Sequence, residues 1–165
     1  MSAFLAILAR DATLGFRAGG GALQAMIFFA LVALVFTLAI GPHPGELSRL
    51  AAPILWTGAL LATLVSLDRI FQADFEDGAL DVLVETADTL ELTVLAKALA
   101  HWLSTGLPLI LAAPVLGLLL NLPAQDYAPL LLSLLVGAPA LSLIGAHAAA
   151  RTLAMRRANN LTAIL

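Results

Sequence analysis

Carboxylates dominate the chemistry this sequence could perform. Asp68, Asp74, Glu76, Asp77, Asp81, Glu85, Asp88 and Glu91 crowd one internal stretch beside a single base, Arg69. Asp74, Glu76 and Asp77 offer the oxygen atoms a divalent cation takes and the paired acids that proton transfer uses. The Asp-x-Asp-x-Asp-Gly spacing of a calcium loop is absent, however, and no nucleophile with its base lies nearby. A solvated acidic rim and a docking surface are therefore the stronger readings. His43, His101 and His147 carry imidazoles that could ligate a metal or a haem iron, but no two stand at the i, i+4 spacing that puts both on one helical face. His101 beside Trp102 reads as an anchor at a membrane–water interface. An intramembrane enzyme would need paired catalytic groups inside apolar segments, and His101, Ser104 and Thr105 are too loosely spaced for that. Without cysteine there is no thiolate nucleophile, disulfide or Cys-ligated metal.

The acidic stretch has helical periodicity. Phe71, Phe75, Ala79 and Val82 share one face, while Glu76, Asp77 and Asp81 point elsewhere. A short amphipathic helix with an aromatic face is a knob for another protein's groove, and Gly78 divides it into two pieces. Residues 68–97 form the loop carrying this knob, and the docking candidates are Asp68, Arg69, Phe71, Phe75, Glu76, Asp77, Gly78 and Leu80.

The elements that position the knob follow from composition. The chain is 61% hydrophobic and 12% charged, with a mean hydropathy of +1.00, where a soluble domain has roughly a quarter of its residues charged. An all-α membrane protein is the class this predicts. An ionised side chain at mid-bilayer costs several kcal/mol, so charge-free gaps mark the spans. They predict four, at about 22–40, 50–67, 98–120 and 128–150, within one transmembrane domain covering 1–165. Gly41-Pro42-His43-Pro44-Gly45 and Asn121-Leu122-Pro123 supply turns. With the N-terminus in the cytoplasm, Arg10, Arg17, Arg69, Lys97, Arg151, Arg156 and Arg157 lie inside and Arg49 alone outside, as the positive-inside rule requires. The acidic loop is then cytoplasmic.

Ahead of the first span, Leu5, Leu8, Ala12 and Phe16 gather on one helical face and Arg10 and Arg17 on the opposite one. This predicts an amphipathic helix lying in the interface rather than a signal peptide. The uncharged run Ala158 to Leu165 reads as the start of a fifth span, and Asn160-Leu161-Thr162, a sequon by pattern, would sit on the cytoplasmic side. Pro108, Pro114 and Pro139, with Gly137, predict kinks in the third and fourth spans that are either tolerated or used as hinges. Ser142, Gly145, Ala146, Ala149 and Ala150 form a small-residue stripe for close helix contact. No basic patch with interleaved aromatics is present to follow a nucleic-acid backbone, and no Gly-x-x-x-x-Gly-Lys-Ser/Thr loop is present to hold ATP.

Two segments carry a family resemblance. Ser66-Leu-Asp-Arg-Ile-Phe-Gln-Ala-Asp-Phe-Glu-Asp-Gly-Ala-Leu and Leu95-Ala-Lys-Ala-Leu-Ala-His-Trp-Leu-Ser-Thr-Gly-Leu-Pro-Leu resemble the CcmB family of bacterial cytochrome c maturation. The similarity runs from Arg10-Asp11 through Gly41-Pro42 to Leu141-Ser-Leu-Ile-Gly. Glu76-Asp-Gly-Ala-Leu is also similar to a Glu-x-Gly-Thr-Leu-Glu pattern of ABC-2-type permeases at large. The resemblance implies a six-span, non-catalytic permease of the bacterial inner membrane, of which this chain holds four spans and the start of a fifth. It implies a homodimer working with the ATPase CcmA, which binds the ATP, alongside CcmC, CcmD and the haem chaperone CcmE. ATP hydrolysis would serve release of haem-loaded chaperone or haem-related export, and residues 68–84 would be the coupling helix seated on the ATPase. No cofactor or haem ligand is implied for this subunit. The chain departs from the family at Glu85-Thr-Ala-Asp-Thr-Leu-Glu, where a Ser-Pro-rich turn is usual. A generic ABC-2 exporter of lipid, drug or glycan is the alternative the same architecture allows.

Overall fold

A computed structural model describes residues 3–17, 21–67, 70 and 90–162, and every regular element among them is helical. Helix α1 spans Ala3–Arg17, α2 Gly21–Ile40 and α3 Pro44–Leu67. After the loop segment, α4 runs Leu90–His101 and continues through a π-turn, Trp102–Gly106, into α5, Leu107–Leu119. A 3₁₀ turn, Ala124–Asp126, leads to α6, Tyr127–Thr162. Four stretches are long and apolar enough to cross a membrane: Gly21–Ile40, Pro44–Leu67, Glu91–Leu119 and Ala124–Ala149. The chain is an all-α, multi-pass membrane protein.

The helices begin earlier than the charge-free gaps alone suggest. α3 starts at Pro44 rather than at residue 50, because proline suits a first helical turn and Glu46 favours its positive dipole end. Gly41 closes α2 at φ +72°, its N–H donating to the Thr37 carbonyl. The helix after the loop starts at Leu90 rather than Ala98, so residues 90–97 of the predicted loop are helical. Charge brackets mark the lipid-immersed core, not the helix ends, and a paired charge can ride on a helix. α6 likewise passes through residues 151–157 without a break.

The prolines act through backbone bonding. Pro108 has no N–H for the Ser104 carbonyl, and immediately before it the helix opens into the π-turn, with the Leu107 N–H donating to the Trp102 carbonyl. Pro53, Pro114 and Pro139 lie inside continuous helices.

Two interior clusters hold the bundle. The larger joins Phe29 and Ala33 of α2, Ala51, Ile54 and Leu55 of α3, Leu109 and Ala113 of α5, and Leu130 and Leu134 of α6. The smaller, at the loop side, pairs Ala98 with Ala146, flanked by Ile70, Val94, Leu143 and Ala149. Ser142, Gly145, Ala146 and Ala149 of the small-residue stripe thus pack as expected, the side chain of Ala150 lying outside the described residues, and at Gly145 the absent Cβ makes room for the Leu67 side chain.

α1 packs against α4 and the π-turn. Its half-buried positions are Phe4, Ile7, Leu8, Asp11, Ala12 and Gly15, whereas Leu5, Ala9, Arg10, Thr13 and Phe16 are exposed. At 100° per residue these form three faces rather than the expected two. One meets the bundle, one carries exposed Leu5 and Phe16, and one carries Arg10 and Thr13. The side chain of Arg17 lies outside the described residues. Leu8 and Ala12, expected beside Leu5 and Phe16, turn partly toward the bundle because Asp11 does.

Candidate functional site

The predicted docking residues Asp68, Arg69, Phe71, Phe75, Glu76, Asp77, Gly78 and Leu80 lie outside the described residues, as do Asp74 and Asp81. The described residues show the ground on which that segment stands. Leu67 ends α3, Leu90 begins α4, and Ile70 donates its N–H to the Leu67 carbonyl. Immediately inside this base, α1, α3, α4 and α6 meet around two polar groups.

The first is His101, at the end of α4 and 8% exposed. Its Nε2 lies 2.8 Å from Ser66 Oγ of α3 and its Nδ1 3.0 Å from Ser142 Oγ of α6. Ser66 donates its one hydroxyl proton to the Thr63 carbonyl at 2.7 Å, so it can only accept from the ring. Nε2 therefore carries the proton, and in the neutral ring Nδ1 accepts from Ser142. Both ring nitrogens are satisfied, and one imidazole ties three spanning helices together. This overturns the reading of His101 as an interfacial anchor: a polar ring with partners on two neighbouring helices is better placed between them than at the surface. Neither Ser66 nor Ser104 gives its hydroxyl proton to the ring. The Ser66 proton is directed at a backbone carbonyl rather than at the imidazole, and Ser104 Oγ bonds the His101 carbonyl rather than its ring.

The second is Lys97, one turn before His101 on the same helix. Its side chain is 1% exposed, and Nζ donates to Asp11 Oδ2 of α1 at 2.7 Å. Asp11 is 14% exposed and also accepts from Arg10 Nε at 2.8 Å through Oδ1. A buried ammonium is tolerable only when paired and hydrogen-bonded, and breaking such a pair by removing one partner costs about 3–5 kcal/mol. Its depth follows from helix length. The stretch Glu91–Leu119 has 29 residues, about 44 Å at 1.5 Å each, against a hydrocarbon core of about 30 Å. Lys97 stands toward the loop-side end of that stretch.

The remaining histidines are separate from this node. His43 lies exposed in the turn before α3, with Nδ1 3.0 Å from the Ile40 carbonyl, and exposed His147 has Nδ1 3.2 Å from the Leu143 carbonyl. Among the described residues no group of three His, Cys, Asp or Glu side chains is placed to hold a metal ion.

The sequence places Lys97 among the cytoplasmic bases and gives Asp11 no site role. The available signal was spacing: Lys97, His101 and Thr105 stand at i, i+4 and i+8, a polar stripe on an otherwise apolar helix. Asp11 stands on the apolar side of α1, between Leu8 and Ala12.

Comparison with known proteins places the whole chain. It matches the CcmB protein family over residues 2–165. It is 54% identical to Heme exporter protein B of Paracoccus denitrificans over 97% of this chain and 73% of that protein. Against the protein of the same name from Bradyrhizobium diazoefficiens the identity is 49%, over 100% of this chain and 74% of the relative. Against that of Escherichia coli K12 it is 37%, over 98% and 74%.

Proposed function

The chain belongs to the CcmB family, and from that premise we infer that it is the membrane subunit of an ABC-type complex serving haem export for cytochrome c maturation. The observation that carries this reading is the family match along residues 2–165, joined to four helices able to span a bilayer. The subunit carries no chemistry of its own and holds no cofactor. ATP is bound by a partner ATPase, CcmA, and hydrolysis there drives release of haem-loaded chaperone or haem-related export. CcmC, CcmD and the chaperone CcmE complete the assembly, in which this subunit is a homodimer. It sits in the bacterial inner membrane with its N-terminus in the cytoplasm, an orientation favoured by the excess of Lys and Arg on the loop side.

The contact with the ATPase is the segment of residues 68–84. The aromatic residues Phe71 and Phe75 are the apolar contacts for a groove in the ATPase, with Asp68, Arg69, Glu76, Asp77, Gly78 and Leu80 as the other docking residues. The described base of the loop supports this reading. The helix before the segment, α3, and the helix after it, α4, are joined to each other and to α6 by the His101 bonds to Ser66 and Ser142.

Replacing Phe71 and Phe75 together with Ala tests the contact. The variant should reach the membrane at the normal level and lose co-purification with the ATPase. Undiminished co-purification contradicts the assignment.

A further inference from the structure

We propose that the Asp11–Lys97 ion pair is the joint through which movement of the docked segment reaches helix α1, making Asp11 and Lys97 positioning residues of the ATP-driven cycle. This rests on the reading that residues 68–84 seat an ATPase. The pair itself stands on burial and distance alone.

Four observations carry the joint. α4, beginning at Leu90, is the first described helix after the docking segment in the chain, and Lys97 lies two turns along it. His101, one further turn on, pins α4 to α3 and α6 through Ser66 and Ser142. The stretch of α4 before His101 is thus an arm, and the imidazole hub is its pivot. The arm grips α1 by charge: Lys97 Nζ meets Asp11 at 2.7 Å with 1% of its side chain exposed, and Asp11 lies in the middle of the α1 face that meets the bundle. Finally, Gly15 lies so close to Ser104 that an added Cβ would stand 2.6 Å from the serine Cβ, which fixes the rotation of α1 about its axis.

The geometry decides what moves. Apolar helix faces in lipid slide with little loss, since lipid tails are as apolar as leucine. A buried ion pair is either made or broken, and breaking it leaves a desolvated charge on each side. While it holds, α1 follows α4 as one body. The exposed faces of α1, Leu5 and Phe16 on one side and Arg10 on another, then carry the displacement along the membrane surface.

The test uses the assembled complex in membranes, with four readouts: the amount of this subunit, ATPase co-purification, ATP hydrolysis and covalent haem attachment to c-type cytochromes. Lys97→Met should retain the ATPase and hydrolyse ATP within about twofold of the unmutated complex. Its haem attachment should fall by about tenfold or more, as expected when one partner of a buried pair is removed. Lys97→Arg keeps the charge and should retain attachment. Asp11→Leu with Lys97→Met removes both charges of this pair together, so it should accumulate normally and still lose attachment. Normal attachment in the double-neutral variant, or loss of ATPase binding along with attachment, overturns the joint. Failure of the unmutated protein to bind any ATPase overturns the docking reading itself and is recognised by appearing without a mutation.

Discussion

The two ends of the bundle are held together by different physics. Toward the turns at Gly41–Pro44 and Leu120–Pro123, and through the bundle centre, Phe29, Leu55, Leu109 and Leu134 interlock in the larger apolar cluster. Toward the acidic loop, among the described residues, the buried apolar pair is Ala98 with Ala146, flanked by Ile70, Val94, Leu143 and Ala149, and the helices are also joined by His101 to Ser66 and Ser142 and by Lys97 to Asp11. Packing resists deformation continuously and confers stability. Directional bonds between small-residue helices allow close approach and discrete rearrangement. On the proposed coupling to an ATPase at the loop, such a permease needs stiffness at the far end and discrete states at the loop end, and the residues are distributed accordingly.

Substitutions can separate the two ends. Phe29→Ala empties a site that is 1% exposed and should lower stability by about 3–5 kcal/mol, read by unfolding in detergent micelles. Haem attachment should fall only as far as the amount of folded protein falls. Gly145→Leu forces a side chain against Leu67 and should cost about 1–3 kcal/mol by overpacking. His101→Leu removes two interhelical bonds, each worth about 0.6 kcal/mol in membrane proteins, so stability should fall by only about 1 kcal/mol. Haem attachment per molecule of subunit should nevertheless fall further than in Phe29→Ala. The reverse ranking would erase the distinction between the two ends. Trp56→Phe deletes the bond from Trp56 Nε1 to Ser133 Oγ, 2.8 Å long in the packed region, and should cost about 0.6 kcal/mol with no change in attachment per molecule.

The legibility of these regions in the sequence differs in the same way. The spans were readable because lipid excludes charge, so gaps between Arg17, Glu46, Asp68, Lys97, Asp126 and Arg151 delimit them. The stripe at Ser142, Gly145 and Ala146 was readable because close helix contact demands small residues. His101 and Lys97 were misplaced because their surroundings come from three other helices. Nothing near residue 97 in the chain announces that Asp11 will neutralise it, and nothing near residue 101 announces Ser66 and Ser142. A lone lysine beside an apolar run looks the same whether it ends the span or is buried within the bundle. Helix starts were misread for a related reason: Glu46 and Lys97 are compatible with helix once their charges meet a dipole end or a partner.

The central claim, that this subunit serves haem delivery to c-type cytochromes, has a direct test. The gene encoding the chain is deleted in its bacterium, and membranes are stained for covalently bound haem. The account predicts that c-type cytochromes disappear, return with the unmutated gene, and stay absent with the Phe71→Ala, Phe75→Ala form. A full complement of haem-bearing c-type cytochromes in the deletion strain would contradict it.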